Sequence, residues 1–328
     1  MTTPPIPTTD RPDDLDASYE VLVLGGGAAG LNAALMLTRS RRSVAVVDAG
    51  SPRNAPAAAV HGLLGHEGLS PLELVARGRR EVRAYGGHVV EGSVARAEGA
   101  LDDFTVTLTD GRTARARRLV VATGTVDELP DVAGLADRWG HDVLHCPYCH
   151  GYEVRDQAIG VLATGPMTVH QALLFRQLTD DVVVLAHTAG PDADQRAQLA
   201  ARDIRVVDGT VTEVVVTDDR LTGVRLADGT VVAREAVVVA TRLHARLDGL
   251  DGLGLTSTTH PSGLATHLAT DPMTHRTDVP GVWAVGNVAE PMAQVGASAA
   301  AGAMAGAQVN ADLVMAEAAA ALAAAPAP

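Results

Sequence analysis

One stretch limits the folds open to this chain more than any other. Val21-Leu22-Val23-Leu24 is an unbroken apolar run of buried-strand type, and Gly25-Gly26-Gly27-Ala28-Ala29-Gly30 follows it directly. Leu31 to Ser40 reads as a helix. Ser43 to Asp48 reads as a second strand ending in an acid, 18 residues past Gly30. Gly25 permits a tight turn, Gly27 lets the backbone approach a pyrophosphate, and Gly30 lets helix and strand pack closely. The helix start offers unpaired N–H groups to phosphate oxygens. Asp48 would accept hydrogen bonds from a ribose. A glycine motif alone is weak evidence, but with strands, helix and acid in register it predicts a dinucleotide-binding βαβ unit.

The remainder of the chain is long enough for two domains, at 328 residues with 47% hydrophobic residues. Residues 1–18 are rich in Pro, Thr and Asp and read as a disordered tail without a secretory segment. Order is expected from Tyr19. Residues 51–68 form a Pro- and Gly-containing loop carrying Arg53, Asn54, His61 and His66. Pro71 to Tyr85 reads as an amphipathic helix with Leu72, Leu74, Val75 and Val82 toward the core. Val89 to Arg118 reads as a small β-meander, and Leu119 to Gly124 as a buried strand closing in the small-residue turn Ala122-Thr123-Gly124. A second βαβ pattern follows, with strands at Ala158–Ala163 and Val182–Ala186 around a helix at Val169–Leu178. A short helix at Gln195–Ala201 is assigned Asp194 as its N-cap. Ala236 to Thr241 echoes the strand at 120–124, which suggests two similar domains, one inserted into the other. Gly281 to Val285 is a late strand. Pro291 to Leu313 reads as a small-residue helix, and residues beyond about 316 as an alanine-rich tail of fraying helix and then disorder.

The chain's only two cysteines stand three positions apart in His145-Cys146-Pro147-Tyr148-Cys149-His150. Such a pair can close a small disulfide ring, and the spacing draws one thiol toward neutral pKa. Redox exchange, a structural disulfide and half of a metal site are the three readings. A zinc site needs four ligands, and no second C-x-x-C exists to supply them. Net charge is −13 with no basic patch, which argues against nucleic acid and anionic membranes. No apolar run spans a bilayer without breaks, so a cytoplasmic location is expected. In that compartment a C-x-x-C is more often catalytic than a staple.

Taken jointly and in this order, these motifs resemble the low-molecular-weight thioredoxin reductase family of flavoproteins over about residues 19–312. The resemblance implies an α/β fold of two Rossmann-like three-layer nucleotide-binding domains of thioredoxin reductase type, the second inserted into the first. The FAD-binding domain would comprise 19–127 and 245–318, and the inserted cysteine domain 128–244, with 319–328 as a tail. It also implies a homodimer. In that pattern Gly25, Gly27, Ala28, Ala29, Gly30, Asp48 and Ala49 meet the ADP half of FAD. Arg53, Asn54, Val94 and the Ala122-Thr123-Gly124 turn belong to the same expected site. Gly286 and Asn287 meet the ribityl and pyrophosphate, and Gln294 and Val295 lie near the isoalloxazine.

Three departures bear on function. The second glycine turn reads Ala163-Thr164-Gly165-Pro166-Met167-Thr168. Ala163 adds a Cβ at the tight turn, Pro166 lacks an N–H, and Thr168 crowds the helix–strand contact. The family's arginine cluster for a 2′-phosphate is replaced by His187-Thr188-Ala189-Gly190. The acid that normally follows the second cysteine is His150, and Asn287 stands in for a usual aspartate while keeping an acceptor. An eroded nicotinamide site beside an intact flavin and dithiol resembles the subgroup of flavin dithiol oxidases that close disulfides in natural products of the holomycin and gliotoxin type. The expectation is therefore an FAD enzyme that takes electrons from a small-molecule dithiol through Cys146 and Cys149 and passes them to O2, giving H2O2. An NAD(P)H-dependent disulfide reductase is the alternative, and an FAD-holding redox sensor is a non-enzymatic one. His150 suits the base role, because a thiol of pKa about 8.5 must be deprotonated near neutrality. His145 is a second candidate, and His61 and His66 are candidate pocket residues.

Overall fold

The computed structural model describes residue 6 and residues 13–325. They divide into two units. The first comprises the described residues up to Ala55, Pro71–Val126 and those from Leu243 onward, and the second comprises Pro56–Ser70 and Asp127–Arg242. The sequence reading placed residues 56–70 with the first unit, but their contacts group them with the cysteine unit.

In the first unit, strand Ser18–Leu24 lies between parallel strands Val44–Asp48 and Thr113–Val121 in a seven-stranded sheet. The last of these also pairs in parallel with Val282–Ala284, and antiparallel with the meander strand Asp103–Leu108. The apolar run is continuous because both faces are covered. Leu22 and Leu24 pack with Phe104, Leu108 and Val282, whereas Val21 and Val23 pack with Ala29, Leu37 and Leu313 from the helices.

The helix Val295–Ala324 owes its small residues to close backbone contact. A Cβ added at Gly302 would fall 2.0 Å from the Ala29 carbonyl oxygen, and one at Gly306 2.6 Å from that of Ala33. The helix begins later than the Pro291 start read from sequence and runs through the stretch assigned to a tail from 319. Alanine has the best helix propensity, and no proline interrupts it before Pro326.

The N-terminal reading also needs correction. Residues 13–18 are held in place: the Asp13 N–H donates to Val89 O at 3.0 Å, and Asp13 Oδ2 accepts from Arg83 Nε at 2.7 Å. Residues 1–5 and 7–12 of the expected tail lie outside the described residues. In the helix Pro71–Ala84, Val75 and Val82 are buried as expected, but Leu72 is exposed.

In the second unit, the parallel sheet contains Ile159–Leu162, Val182–Leu185, Arg205–Val207, Ala236–Val239 and the short Val143–Leu144. Val161, Val184 and Val238 face Phe175 and Leu199 from its helices. Val183, Leu185 and Val237 face the three-stranded antiparallel sheet through Val214 and Leu221. The helix Ala193–Ala200 is capped by Asp192 rather than Asp194, with a capping box to Gln195. Among the described residues no helix is long and apolar enough to cross a membrane.

Candidate active site

The dinucleotide cradle of the first unit is built by the glycine turn. Gly25 adopts φ +111°, and a Cβ there would sit 2.3 Å from Ala122 O. A Cβ at Gly30 would meet Gly25 O at 1.9 Å. Turn, strand end and helix start therefore close on one another as only glycines allow. At Gly27 an added Cβ would meet nothing within 4 Å. Gly27 is also the N-cap of the helix Ala28–Arg39, with no side chain bonded across its start. That open space before a 12-residue helix, at Ala28 and Ala29, is the room a pyrophosphate needs, so the cradle fits the ADP half of FAD.

Asp48 ends its strand beside this turn, 2.4 Å from where a Gly26 Cβ would lie. Sequence reasoning missed its partner: Arg79 Nη2 donates to Asp48 Oδ2 at 2.6 Å. Asp48 Oδ1 accepts the Gly50 N–H at 3.2 Å, which fixes the bend at Ala49. The Gly92 N–H donates to Asp48 O at 3.0 Å, bringing the chain at Val94 to this end of the sheet. Arg53 and Asn54 lie in the turn after Pro52, half-buried. The Ala122-Thr123-Gly124 turn is anchored by Thr123 Oγ1, which donates to Arg246 O at 2.6 Å.

Gly286 takes φ +71°, with Ala29 2.8 Å from its would-be Cβ, so the late loop meets the first helix. Asn287 behaves differently from the simple acceptor read from sequence. Its Nδ2 faces three carbonyls, Glu290 O at 3.2 Å, Pro291 O at 3.1 Å and Ala293 O at 2.9 Å. It draws the loop into a tight coil that ends at Gln294, the N-cap of the helix starting at Val295. A carboxylate has no donor for those carbonyls, which accounts for an amide here.

The cysteine centre lies in the second unit. Cys146 and Cys149 form a disulfide, with Cα atoms 5.3 Å apart. Cys146 caps the single helical turn Pro147–His150, Pro147 sits at its favoured first position, and the Cys149 N–H donates to Cys146 Sγ at 3.1 Å. His145 stacks on Trp139, with ring centroids 5.4 Å apart. Among the described residues no group of three or more His, Cys, Asp or Glu is arranged to hold a metal ion.

His150 Nε2 is sealed from solvent and has no hydrogen-bond partner among the described residues. Burial pushes this imidazole below its ordinary value; Glu153 opposes the shift and His61 adds to it. A neutral ring is the form that accepts a proton from a thiol. The His61 ring lies nearly perpendicular to it, with ring centroids 6.5 Å apart. His66, the other loop candidate, is exposed at the turn and does not join this group.

The second glycine turn is occupied by its own bonds. Gly165 O accepts from both the Thr168 N–H, at 3.3 Å, and Thr168 Oγ1, at 2.8 Å. The amide at the helix start is thus turned onto a carbonyl. His187 points inward, its Nδ1 accepting the Val211 N–H at 3.1 Å, and burial keeps it below its ordinary value.

Comparison with known proteins agrees with this geometry. The family described as pyridine nucleotide-disulphide oxidoreductase matches residues 19–307. The chain is 31% identical over 295 residues to thioredoxin reductase sirT of Leptosphaeria maculans, covering 84% of this chain and 89% of that protein. It superposes on the crystal structure of HlmI with TM-score 0.87 and 46% identity, covering 96% and 98% of the two chains. An oxidoreductase from Agrobacterium tumefaciens gives TM-score 0.85 and 39% identity, covering 91% and 99%.

Proposed function

The chain belongs to the pyridine nucleotide-disulphide oxidoreductase family, within its thioredoxin reductase-like flavoproteins, and from that premise we propose that it is an FAD-dependent dithiol oxidase. FAD is its cofactor. The proposed substrate is a small-molecule dithiol of natural-product type, converted to a cyclic disulfide, with O2 as acceptor and H2O2 as product. A homodimer belongs to the same reading on the strength of the resemblance, and a cytoplasmic location on the sequence pattern.

The chain's residues would act as follows. A substrate thiol gives its proton to His150, and the thiolate attacks Cys146 Sγ. The Cys146–Cys149 bond breaks, and Cys149 leaves as a thiolate. The second substrate thiol gives its proton to solvent and attacks the substrate sulfur bound to Cys146, so the cyclic disulfide departs and Cys146 takes the electron pair. The Cys149 N–H, 3.1 Å from Cys146 Sγ, is placed to stabilise that charge. Bound FAD supplies the two-electron acceptor that restores the Cys146–Cys149 disulfide.

The observation that carries the oxidase reading over the reductase is the inward-turned His187. Its Nδ1 is committed as an acceptor, so the ring offers no cation to a 2′-phosphate where an arginine pair would. The self-bonded Gly165–Thr168 turn works in the same direction. The test is oxygen uptake by the purified yellow protein with small dithiols, with peroxide measured and no nicotinamide present. Stoichiometric peroxide is expected, and Cys149→Ser should abolish flavin bleaching by dithiols. Rapid anaerobic bleaching by NADPH, with no turnover of dithiols, would instead make the protein a reductase.

A further inference from the structure

The helix Thr168–Phe175, which starts at the self-bonded glycine turn, carries Gln171 into the core of its unit. Only 9% of that residue is exposed. Its Nε2 donates to His145 O at 3.2 Å. A carbonyl only accepts, so this partner fixes which end of the amide meets it. The other end, Oε1, is sealed from solvent and has no partner among the described residues. A methionine, of similar volume and helix propensity, would leave no such oxygen, so stability does not account for an amide here.

The bond falls where the sheet releases the chain. Val143 and Leu144 pair with Val237 and Val238, and the ladder stops there. His145, the next residue, gives its carbonyl to Gln171. Its ring stacks on Trp139, whose backbone bridges Val143. The far end of the cysteine turn rests just beyond the same helix: a Cβ added at Gly151 would lie 2.5 Å from Leu178 Cδ1, and the Asp156 N–H donates to Leu178 O at 3.0 Å.

We infer that Gln171 is a positioning residue for the redox pair, holding Cys146 in the direction that joins it to Cys149. The inference rests on the reading of these two cysteines as the reacting pair. A peptide unit is planar, so a bond to His145 O fixes the Cys146 nitrogen and Cα along with it. On the other side the His150 N–H donates to Cys146 O at 3.2 Å and fixes the next plane. Cys146 Cα is thereby held between two anchored planes, 5.3 Å from that of Cys149, with Sγ against the Cys149 N–H. A dithiol closes more favourably the less freedom its sulfurs must lose. Releasing the first plane returns freedom to the open pair, so the disulfide becomes easier to reduce.

The experiment is an anaerobic titration of the FAD-loaded protein with mixtures of reduced and oxidised dithiothreitol, the free thiols being alkylated and counted by mass. Wild type, Gln171→Met and Gln171→Asn are compared. Methionine removes the amide, and asparagine keeps it but falls one methylene short of His145 O. Each variant should shift the equilibrium about fivefold toward the dithiol, the effect of one neutral hydrogen bond. The apparent Tm of oxidised Gln171→Met should equal or exceed that of wild type, because a buried unpaired oxygen has gone. An unmoved equilibrium in either variant overturns the inference. A lower Tm in Gln171→Met also overturns it, by making the amide part of the core's stability. The titration needs no oxygen, so these outcomes hold whether the pair serves an oxidase or a reductase. A Cys146–Cys149 bond that no mixture opens in any of the three proteins would overturn the inference and the redox reading together.

Discussion

Arg79 reaches across from the helix Pro71–Ala84 and donates to Asp48, Nη2 to Oδ2, at 2.6 Å. Both side chains are mostly buried, at 21% and 13% exposure. The acid expected at a ribose is therefore held by a cation 31 positions away. Arg79→Gln should weaken FAD binding by about fivefold, the equivalent of about 1 kcal/mol for a partly screened pair. Flavin fluorescence during reconstitution of the apoprotein measures it, and unchanged affinity would show that Asp48 needs no such partner.

Gly302→Ala tests the contact between the first and last helices of the first unit. Alanine in place of glycine favours a helix by about 1 kcal/mol in isolation. Here the new Cβ would meet the Ala29 carbonyl at 2.0 Å, and backbone cannot swing aside as a flexible side chain can. Overpacking of this kind costs about 1–3 kcal/mol. The clash should win, and the apparent Tm should fall by about 2–4 °C for each kcal/mol lost. A Tm equal to or above wild type would contradict the packing.

Asn287→Asp separates the two roles of that side chain. A mere acceptor toward the cofactor would tolerate the change. An amide that donates to Glu290, Pro291 and Ala293 carbonyls would not, because the carboxylate repels all three. The expected result is a loosened 290–293 loop and faster FAD loss on dilution, at a cost of about 1 kcal/mol. Identical FAD retention in variant and wild type would return Asn287 to the simpler role.

Acid sensitivity should begin well above the carboxylate range. Burial lowers His150, His187 and His275 below their ordinary value of 6.5, with Asp271 opposing the shift at His275. Below pH 6.5 the unfolded chain binds protons that these folded rings resist, so the unfolded state gains protons first. Stability should be full above about pH 7 and decline as pH falls through 6.5 toward the lowered folded values. Urea unfolding measured between pH 8 and 5 checks this, and a flat curve down to pH 5 would count against buried neutral rings.

Both βαβ units were legible in the sequence because their signals are local. Val21–Leu24 is apolar on both faces, Gly25 and Gly30 fall at fixed places in one turn, and a C-x-x-C can close a ring wherever it lies. Even the erosion of the second glycine turn was readable, since Ala163 and Pro166 change backbone chemistry at their own positions. The pinning of residues 13–18 by Arg83 was not readable, because composition reports the absence of a core and says nothing of one long-range ion pair.

Sequence alone determined which chemistries were present: a dinucleotide turn, a dithiol and a histidine beside it. Tertiary structure decided which of several equivalent residues lie beside them. Nothing local distinguishes Arg79 from Arg77 or Arg80, or His61 from His66, because each pair shares its surroundings in the chain. Only packing, which brings Arg79 to Asp48 and folds the 56–70 loop onto the cysteine unit, breaks that equivalence. Such contacts depend on residues distant in the chain meeting at angstrom precision, and no periodicity or spacing encodes that.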